Sequence, residues 1–268
     1  MSLSKRSWSM GLSAALCTLA GLLPVPAQAQ IQISPMIIRT TTNRGMANSV
    51  INVTNQGFET QRIRVYAEPF TYTPTGFATT EISPYDLSPY LIFSPRELVL
   101  EPGQTRRVRL IARMLPSTAS GEYRSVLFAE PLRERASSGQ NTLRVIARLG
   151  VTVYVQHGEV TFALMPTAAT YNAEKRELQL QVNNPGNGTV RPKGAWRLTQ
   201  NEATIAQGDI EQQTVIAGGE RIFPLPLPPE QTELAPGSYE LSGELQWDEG
   251  GSGTTTPFSF AVTIPTQG

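Results

Sequence analysis

The sequence predicts an all-β protein made of two immunoglobulin-like β-sandwich domains. Three observations carry that expectation. After residue 30 the chain is a series of short apolar–polar alternations separated by Gly and Pro turn signals, the pattern of antiparallel sandwiches. No stretch there keeps a helical period. The pattern also repeats internally: Gly103 to Gly121 and Gly219 to Gly237 are both 18 residues apart, and 219 − 103 = 237 − 121 = 116.

The ends and the composition bound the problem. Lys5 and Arg6 precede an apolar run from Met10 to Val25, and Ala27-Gln28-Ala29 is a small-x-small cleavage site. Met1–Ala29 therefore reads as a secretory signal peptide. Pro24 and Pro26 interrupt the run, which is short for a membrane span. Leu16, before Cys17, is too large for lipoprotein cleavage. Removing 29 of 268 residues leaves 239, room for two ordinary domains. Cys17 is the single cysteine, so the remaining chain has no disulfide to lean on. Twenty-two basic residues balance 22 acidic ones, against a nucleic-acid partner. No later segment could span a membrane, so the mature protein is expected to be soluble outside the cytoplasm.

In chain order, strands are predicted near Ile31–Thr40, Met46–Thr54, Thr60–Tyr72, Leu91–Phe93, Glu97–Leu100, Gln104–Ala112, Gly121–Leu132 and Thr142–Gln156. A second set follows near Val160–Leu164, Glu177–Val182, Gly194–Gln200, Thr204–Gln213, Glu220–Leu225, Gly237–Trp247 and Thr255–Ile264. The domains are expected at 30–157 and 158–268, with the hinge near Gln156-His157-Gly158. The 116-residue offset brings Tyr123 onto Tyr239, each following a turn that carries Leu115-Pro116 or Ala235-Pro236. A tyrosine there predicts a corner whose hydroxyl bonds back to the preceding loop. The run Val50-Ile51-Asn52-Val53-Thr54-Asn55-Gln56-Gly57 likewise matches Leu180-Gln181-Val182-Asn183-Asn184-Pro185-Gly186 in outline.

The stretch Asn141–Val155 stands apart. Leu143, Val145, Ala147, Leu149, Val151, Val153 and Val155 are all apolar, and the intervening positions carry Arg144, Arg148 and Thr152. Strands usually run about 5–6 residues, so this one is long enough to serve a core with one half and offer an apolar edge with the other. The same stretch also suits an ordinary central strand.

The first domain resembles the PapD-like periplasmic chaperones of chaperone–usher pilus assembly. The resemblance lies in Ile33-Ser34-Pro35-Met36-Ile37-Ile38-Arg39, Val50–Asn55, Leu91-Ile92-Phe93-Ser94-Pro95-Arg96, Leu100-Glu101-Pro102-Gly103-Gln104, Val108-Arg109-Leu110, Gly121-Glu122-Tyr123-Arg124-Ser125 and the long strand. The second domain is similar only in architecture and order. The resemblance implies two sandwiches in an L-shaped arrangement and a partner that is a pilin or fimbrial-type subunit lacking a strand. The long edge strand would complete that subunit, with Leu143, Val145 and Ala147 entering its groove. It also implies a basic site in the cleft between domains that anchors the subunit's C-terminal carboxylate. Arg39 falls on the family's arginine. Thr152 stands where the family has a lysine, and Arg148, four residues earlier on the same face, is the candidate substitute. Arg124 and Gln156 depart from the family's internal charges that set the domain angle. An outer-membrane usher is a possible second partner, and no cofactor is implied.

Two other classes are weighed. An enzyme has little to work with: His157 is the single histidine, and Glu130 with Glu134, or Asp248 with Glu249, read as solvated carboxylates. The alternative is a PapD-like extracytoplasmic scaffold or surface-binding module without an usher, with Trp196, Trp247 and Tyr239 as an aromatic platform. Those three residues also read as core. Arg107, Arg109 and Arg113 share one strand face and read as its solvated side.

Overall fold

The computed structural model describes residues 31–132, 148–229, 234–251 and 253–265. Its first sandwich sets two sheets face to face. One contains β1 (Ile31–Ser34), β3 (Met46–Asn55), β9 (Thr105–Arg113) and β7 (Leu91–Ser94), in the order β1-β3-β9-β7. The other contains β2 (Ile37–Thr41), β11 (Leu149–His157), β10 (Gly121–Leu132), β4 (Gln61–Glu68) and β8 (Glu97–Leu100), in the order β2-β11-β10-β4-β8. Their facing side chains, Ile51, Val53, Ile63, Leu110, Leu127 and Val151 among them, form one core. A hairpin of β5 (Phe70–Thr73) and β6 (Gly76–Thr79) stands outside both sheets.

The second sandwich has its own core. Its three-stranded sheet is β12 (Met165–Asn172), β13 (Glu177–Asn183) and β16 (Glu220–Pro226). Its four-stranded sheet contains β15 (Ala203–Ile210), β14 (Lys193–Gln200), β17 (Gly237–Trp247) and β18 (Thr254–Ile264), in the order β15-β14-β17-β18. Leu178, Leu180, Leu198, Phe223 and Leu241 fill the space between. Trp196, Trp247 and Tyr239 are buried there too, so they are core and form no sugar-binding platform. Arg107, Arg109 and Arg113 lie on an exposed face, as a solvated side requires.

The repeat is structural as well as sequential. Tyr123 Oη donates to Ala119 O at 3.0 Å, and Tyr239 Oη donates to Ala235 O at 2.8 Å. The preceding glycines match in backbone too: Gly121 has φ +149° and Gly237 has φ +152°, values that L side chains resist. Asn55 and Asn184 are buried pins. Asn55 donates to the carbonyls of Glu59 and Leu100 and accepts from Gly57 N–H. Asn184 donates to the carbonyls of Gly188 and Val215 and accepts from Gly186 N–H. Each amide thus saturates loop groups that water cannot reach.

Several expected elements differ. The strand expected over Ile31–Thr40 is two, β1 and β2, which belong to different sheets. The chain crosses between them at Pro35, which has no N–H to donate to a ladder. Thr60–Tyr72 divides at Pro69 into β4 and β5 for the same reason. Val160–Leu164 is not a strand. Thr161 N–H and Oγ1 bond to Asn187 Oδ1, and Thr161 O accepts from Gly188 N–H, so this backbone is satisfied by a loop. The first strand of the second sandwich is β12 instead. It lacks clean alternation because a bulge at Pro166/Ala168 shifts its register against β13. Leu143, Val145 and Ala147 lie outside the described residues, as does the first part of the strand expected over Thr142–Gln156.

Candidate functional site

The site is built on β11. From Thr152 to Gln156 this strand is paired on both sides: antiparallel to β10 and parallel to β2, with Thr152 beside Ile37, Tyr154 beside Arg39 and Gln156 beside Thr41. Upstream the pairing changes. Leu149, Gly150 and Val151 pair with β10, while the β2 ladder begins only at Thr152. Thr152 N–H donates to Met36 O and Gln156 O accepts from Thr42 N–H, so the even-numbered residues turn their backbone groups toward β2. By strand alternation Gly150 turns its N–H and C=O the same way, to a side where β2 no longer runs. Among the described residues, one edge of the sheet opens there.

Side chains sort by the same alternation. Val151, Val153 and Val155 enter the core, and Leu149 packs against it. Thr152 and Tyr154 face outward with Ile37 and Arg39, so Arg39 and Thr152 share one face as diagonal neighbours. Arg148 is not brought to Arg39. Its Nη1 donates to Tyr66 Oη at 3.2 Å and lies 3.6 Å from Glu68 Oε2, and its guanidinium sits 4.1 Å over the Phe128 ring. Gly150 makes that stack possible, because a Cβ there would meet Val126 Cγ2 at 2.8 Å and Phe128 Cε1 at 3.0 Å.

Behind this face the two sandwiches join. Phe70, Val126, Phe128 and Tyr154 from the first form a small apolar cluster with Ile216 from the second. The β5–β6 hairpin reaches across: Ile222 N–H donates to Pro74 O at 3.0 Å, and Arg221 Nη1 donates to Thr73 O at 3.1 Å. β11 ends at His157, and the chain turns at the next residue. Gly158 has φ +66°, and a Cβ on it would collide with Ser120 Oγ at 2.1 Å.

Polar groups are buried in the same joint. Glu122 Oε1 accepts from Thr189 N–H of the second sandwich at 3.2 Å. Burial raises the Glu122 carboxyl above the ordinary glutamate range, although the Thr189 bond, Arg191 and Arg124 all pull it down. Burial likewise lowers the Arg124 guanidinium, against the pull of Glu122, and the group sits 4.8 Å over the Tyr85 ring. Arg191 stacks 4.9 Å over the Tyr154 ring and lies 3.7 Å from Glu249. Sequence comparison marked Arg124 and Gln156 as departures from the family's internal charges. Here the Arg124 guanidinium lies over the Tyr85 ring, and Gln156 Oε1 accepts from Thr41 Oγ1 at 3.3 Å.

A raised carboxyl makes a pH prediction. Because the folded state holds the Glu122 proton more tightly than the unfolded chain, its contribution is fully present below the ordinary glutamate range. That contribution is lost as pH rises through the raised value. Glu122→Gln keeps an oxygen for Thr189 N–H and removes the buried charge. Unfolding free energies should therefore be higher for the variant than for the parent at pH 7, and the gap should close toward pH 4. A variant less stable at pH 7 would mean that the attraction to Arg124 and Arg191 outweighs the burial.

Arg39 opens onto a cleft of about 740 Å³ between the sandwiches, lined also by Arg191, Lys193, Gln246, Asp248 and Glu249. Sequence reasoning missed Lys193. It lies 154 residues from Arg39 (193 − 39), and no local motif marks it.

No family model matches the chain, and no curated protein matches it in sequence. Solved structures are similar to it in fold. A chain of a chaperone–tip adhesin complex of CFA/I fimbriae biogenesis is 13% identical, with 89% of this chain and 100% of that chain covered and a TM-score of 0.51. A chain of the CsuC–CsuE chaperone–tip adhesion subunit pre-assembly complex, from the archaic chaperone–usher Csu pili of Acinetobacter baumannii, is 12% identical, with 85% and 98% covered and a TM-score of 0.50. The chain therefore has the two-domain, immunoglobulin-like architecture found in fimbrial chaperone assemblies.

Proposed function

We propose that the protein is a periplasmic chaperone that holds pilin or fimbrial-type subunits by donating an edge strand. The observation that carries this reading is the one-sided pairing of β11 upstream of Thr152, at the point where the alternating run Leu143, Val145, Ala147 would continue it. Those residues have the parity of the core-facing side chains Val151, Val153 and Val155, so an added sandwich would receive them as it receives its own strand. A leucine or valine fully buried in such a groove contributes about 1.5–3 kcal/mol, and Ala147 less. The likeness in fold to chains of chaperone–subunit complexes supports the same reading. No nucleotide is needed, because folding of the subunit onto the donated strand supplies the free energy.

Arg39 is the proposed anchor for the subunit's terminal carboxylate, with the Thr152 hydroxyl beside it. Arg148 is assigned to its stack over Phe128 and its hydrogen bond to Tyr66 Oη. The test is pull-down from periplasm followed by identification of the bound chains. Arg39→Ala should weaken capture by roughly 10–100-fold, the loss of one charge-assisted contact in a water-poor cleft. A loss below about 0.5 kcal/mol would place Arg39 among solvated surface cations.

A further inference from the structure

We infer that the second sandwich has a pairing edge of its own, the outer edge of β18, and that its occupant is β18 of a second copy of this chain. β18 is the end strand of the four-stranded sheet, and among the described residues no ladder or backbone hydrogen bond reaches its outer side. The direction of its backbone follows from the strands behind it. A Cβ on Gly194 would run into Glu244 O, and one on Gly243 into Ala195 O. Ala195 and Glu244, opposite each other in the β14–β17 ladder, therefore turn their backbone groups toward one another. Glu244 then offers none to Pro257, its neighbour on β18, so Pro257 and the other odd-numbered residues of that strand turn theirs outward. Thr255, Ser259, Ala261 and Thr263 thus hold N–H and C=O groups along an open edge.

Three observations select a second copy as the occupant. Thr254–Ile264 contains no charged residue, whereas edges kept from pairing commonly carry lysine or an inward charge, so two identical edges meet here without repulsion. Pro257 and Pro265 stand symmetrically about Ala261, since 261 − 257 = 265 − 261 = 4. A proline ring turned outward keeps a neighbouring strand away. An antiparallel pairing centred on Ala261 is then the longest that meets neither ring. Ala261 faces the partner's Ala261 and Ser259 faces the partner's Thr263, with about six backbone hydrogen bonds between the copies. The third observation is the packing. Ser259, Ala261 and Thr263 are small and exposed, while Phe260 on the other face packs against the core yet stays partly exposed. This register sets Phe260 beside the partner's Val262, in a non-hydrogen-bonded pair, where side chains lie closest. The same edge serves both copies, so the pairing closes as a dimer and joins their four-stranded sheets into one. Thr254 and Thr255 line the Arg39 cleft, but Ser259–Thr263 lie further along β18, so the dimer leaves the cleft open.

The test is sedimentation equilibrium of the whole exported protein from about 1 to 500 µM, with amide exchange read at both ends of that range. A monomer–dimer equilibrium with a dissociation constant of roughly 10–300 µM is expected, as for a small edge contact. Exchange at Ser259, Ala261 and Thr263 should slow as the protein is concentrated, while Phe260 and Val262, already bonded to β17, should not change. Ala261→Lys sets two like charges face to face, and Ala261→Pro puts a ring at the centre of the ladder. Each should weaken the dimer at least about 10-fold. The lysine is exposed on an edge, so that variant should melt with the parent and keeps the test decisive if the proline variant does not fold. Val145→Glu should dimerise as the parent does. A monomer at every concentration, species larger than a dimer, undiminished dimerisation of Ala261→Lys, or a dimer lost in Val145→Glu would each overturn the β18 interface. Subunit capture is read separately, by periplasmic pull-down. Capture by a protein that stays monomeric leaves the strand-donation reading standing, and a β18 dimer that captures nothing leaves this interface standing.

Discussion

Val145→Glu should abolish subunit capture and leave the fold of the free protein intact. The position is the middle of the three proposed knobs, so its side chain would enter the most enclosed part of a partner's groove. A carboxylate forced there loses its hydration without a counter-charge, a cost of several kcal/mol that exceeds what the valine contributed. Capture should therefore fall by at least about 100-fold. The thermal midpoint should stay within about a degree, because the strand it would spoil is completed only by a partner. Retained capture by this variant, measured by co-purification against the parent, contradicts strand donation through residues 143–147.

Phe70→Ala should produce the largest loss of stability among single substitutions at the joint. Phe70 is fully buried. Its ring lies 5.2 Å from Phe77, 5.9 Å from Tyr72 and 5.8 Å from Tyr154, and its cluster includes Ile216 from the second sandwich. Truncation empties the centre of this small cluster, for which about 3–5 kcal/mol is the usual cost. The same cluster braces the hairpin that bonds to Ile222 and Arg221, so the domain angle should loosen as well. Urea unfolding reads the first effect, and distance measurements between spin labels on β9 and β15 read the second. A shift below about 1 kcal/mol would mean that the joint repacks around the gap.

Most of the architecture was legible because local signals and the global fold agree. The 116-residue offset anticipated the two tyrosine corners, and the matched runs ending in Asn55-Gln56-Gly57 and Asn184-Pro185-Gly186 anticipated the paired loops, though not that the asparagines pin them from inside. Gly121–Leu132 and Gly237–Trp247 are strands over the residues expected. What failed were judgements that depend on a partner. Ile31–Thr40 is apolar enough for one strand, yet nothing in it says that its halves pair with β3 and β11 in different sheets. Val160–Leu164 is apolar enough for a strand, but Asn187 and Gly188 take its backbone groups first. β12 forms on the strength of β13 with little alternation of its own.

The site divides in the same way. The parity of Leu149–Val155 could be read from residue order, because it follows from strand alternation, whereas Arg39 is marked only by the resemblance. The engagement of Arg148 could not, since Tyr66, Glu68 and Phe128 reach it from β4 and β10. Lys193 could not either. It meets the Arg39 cleft only because Glu122, Thr189 and the β5–β6 hairpin fix one sandwich against the other.

The open edge of β11 is tested most directly by amide hydrogen exchange on the free monomer and on the protein carrying a captured subunit. The account predicts fast exchange of Gly150 N–H in the monomer beside slow exchange of Thr152 and Tyr154, and protection of Gly150 and residues 143–147 on capture. Gly150 N–H as protected in the free monomer as Thr152, and unchanged on capture, would contradict it.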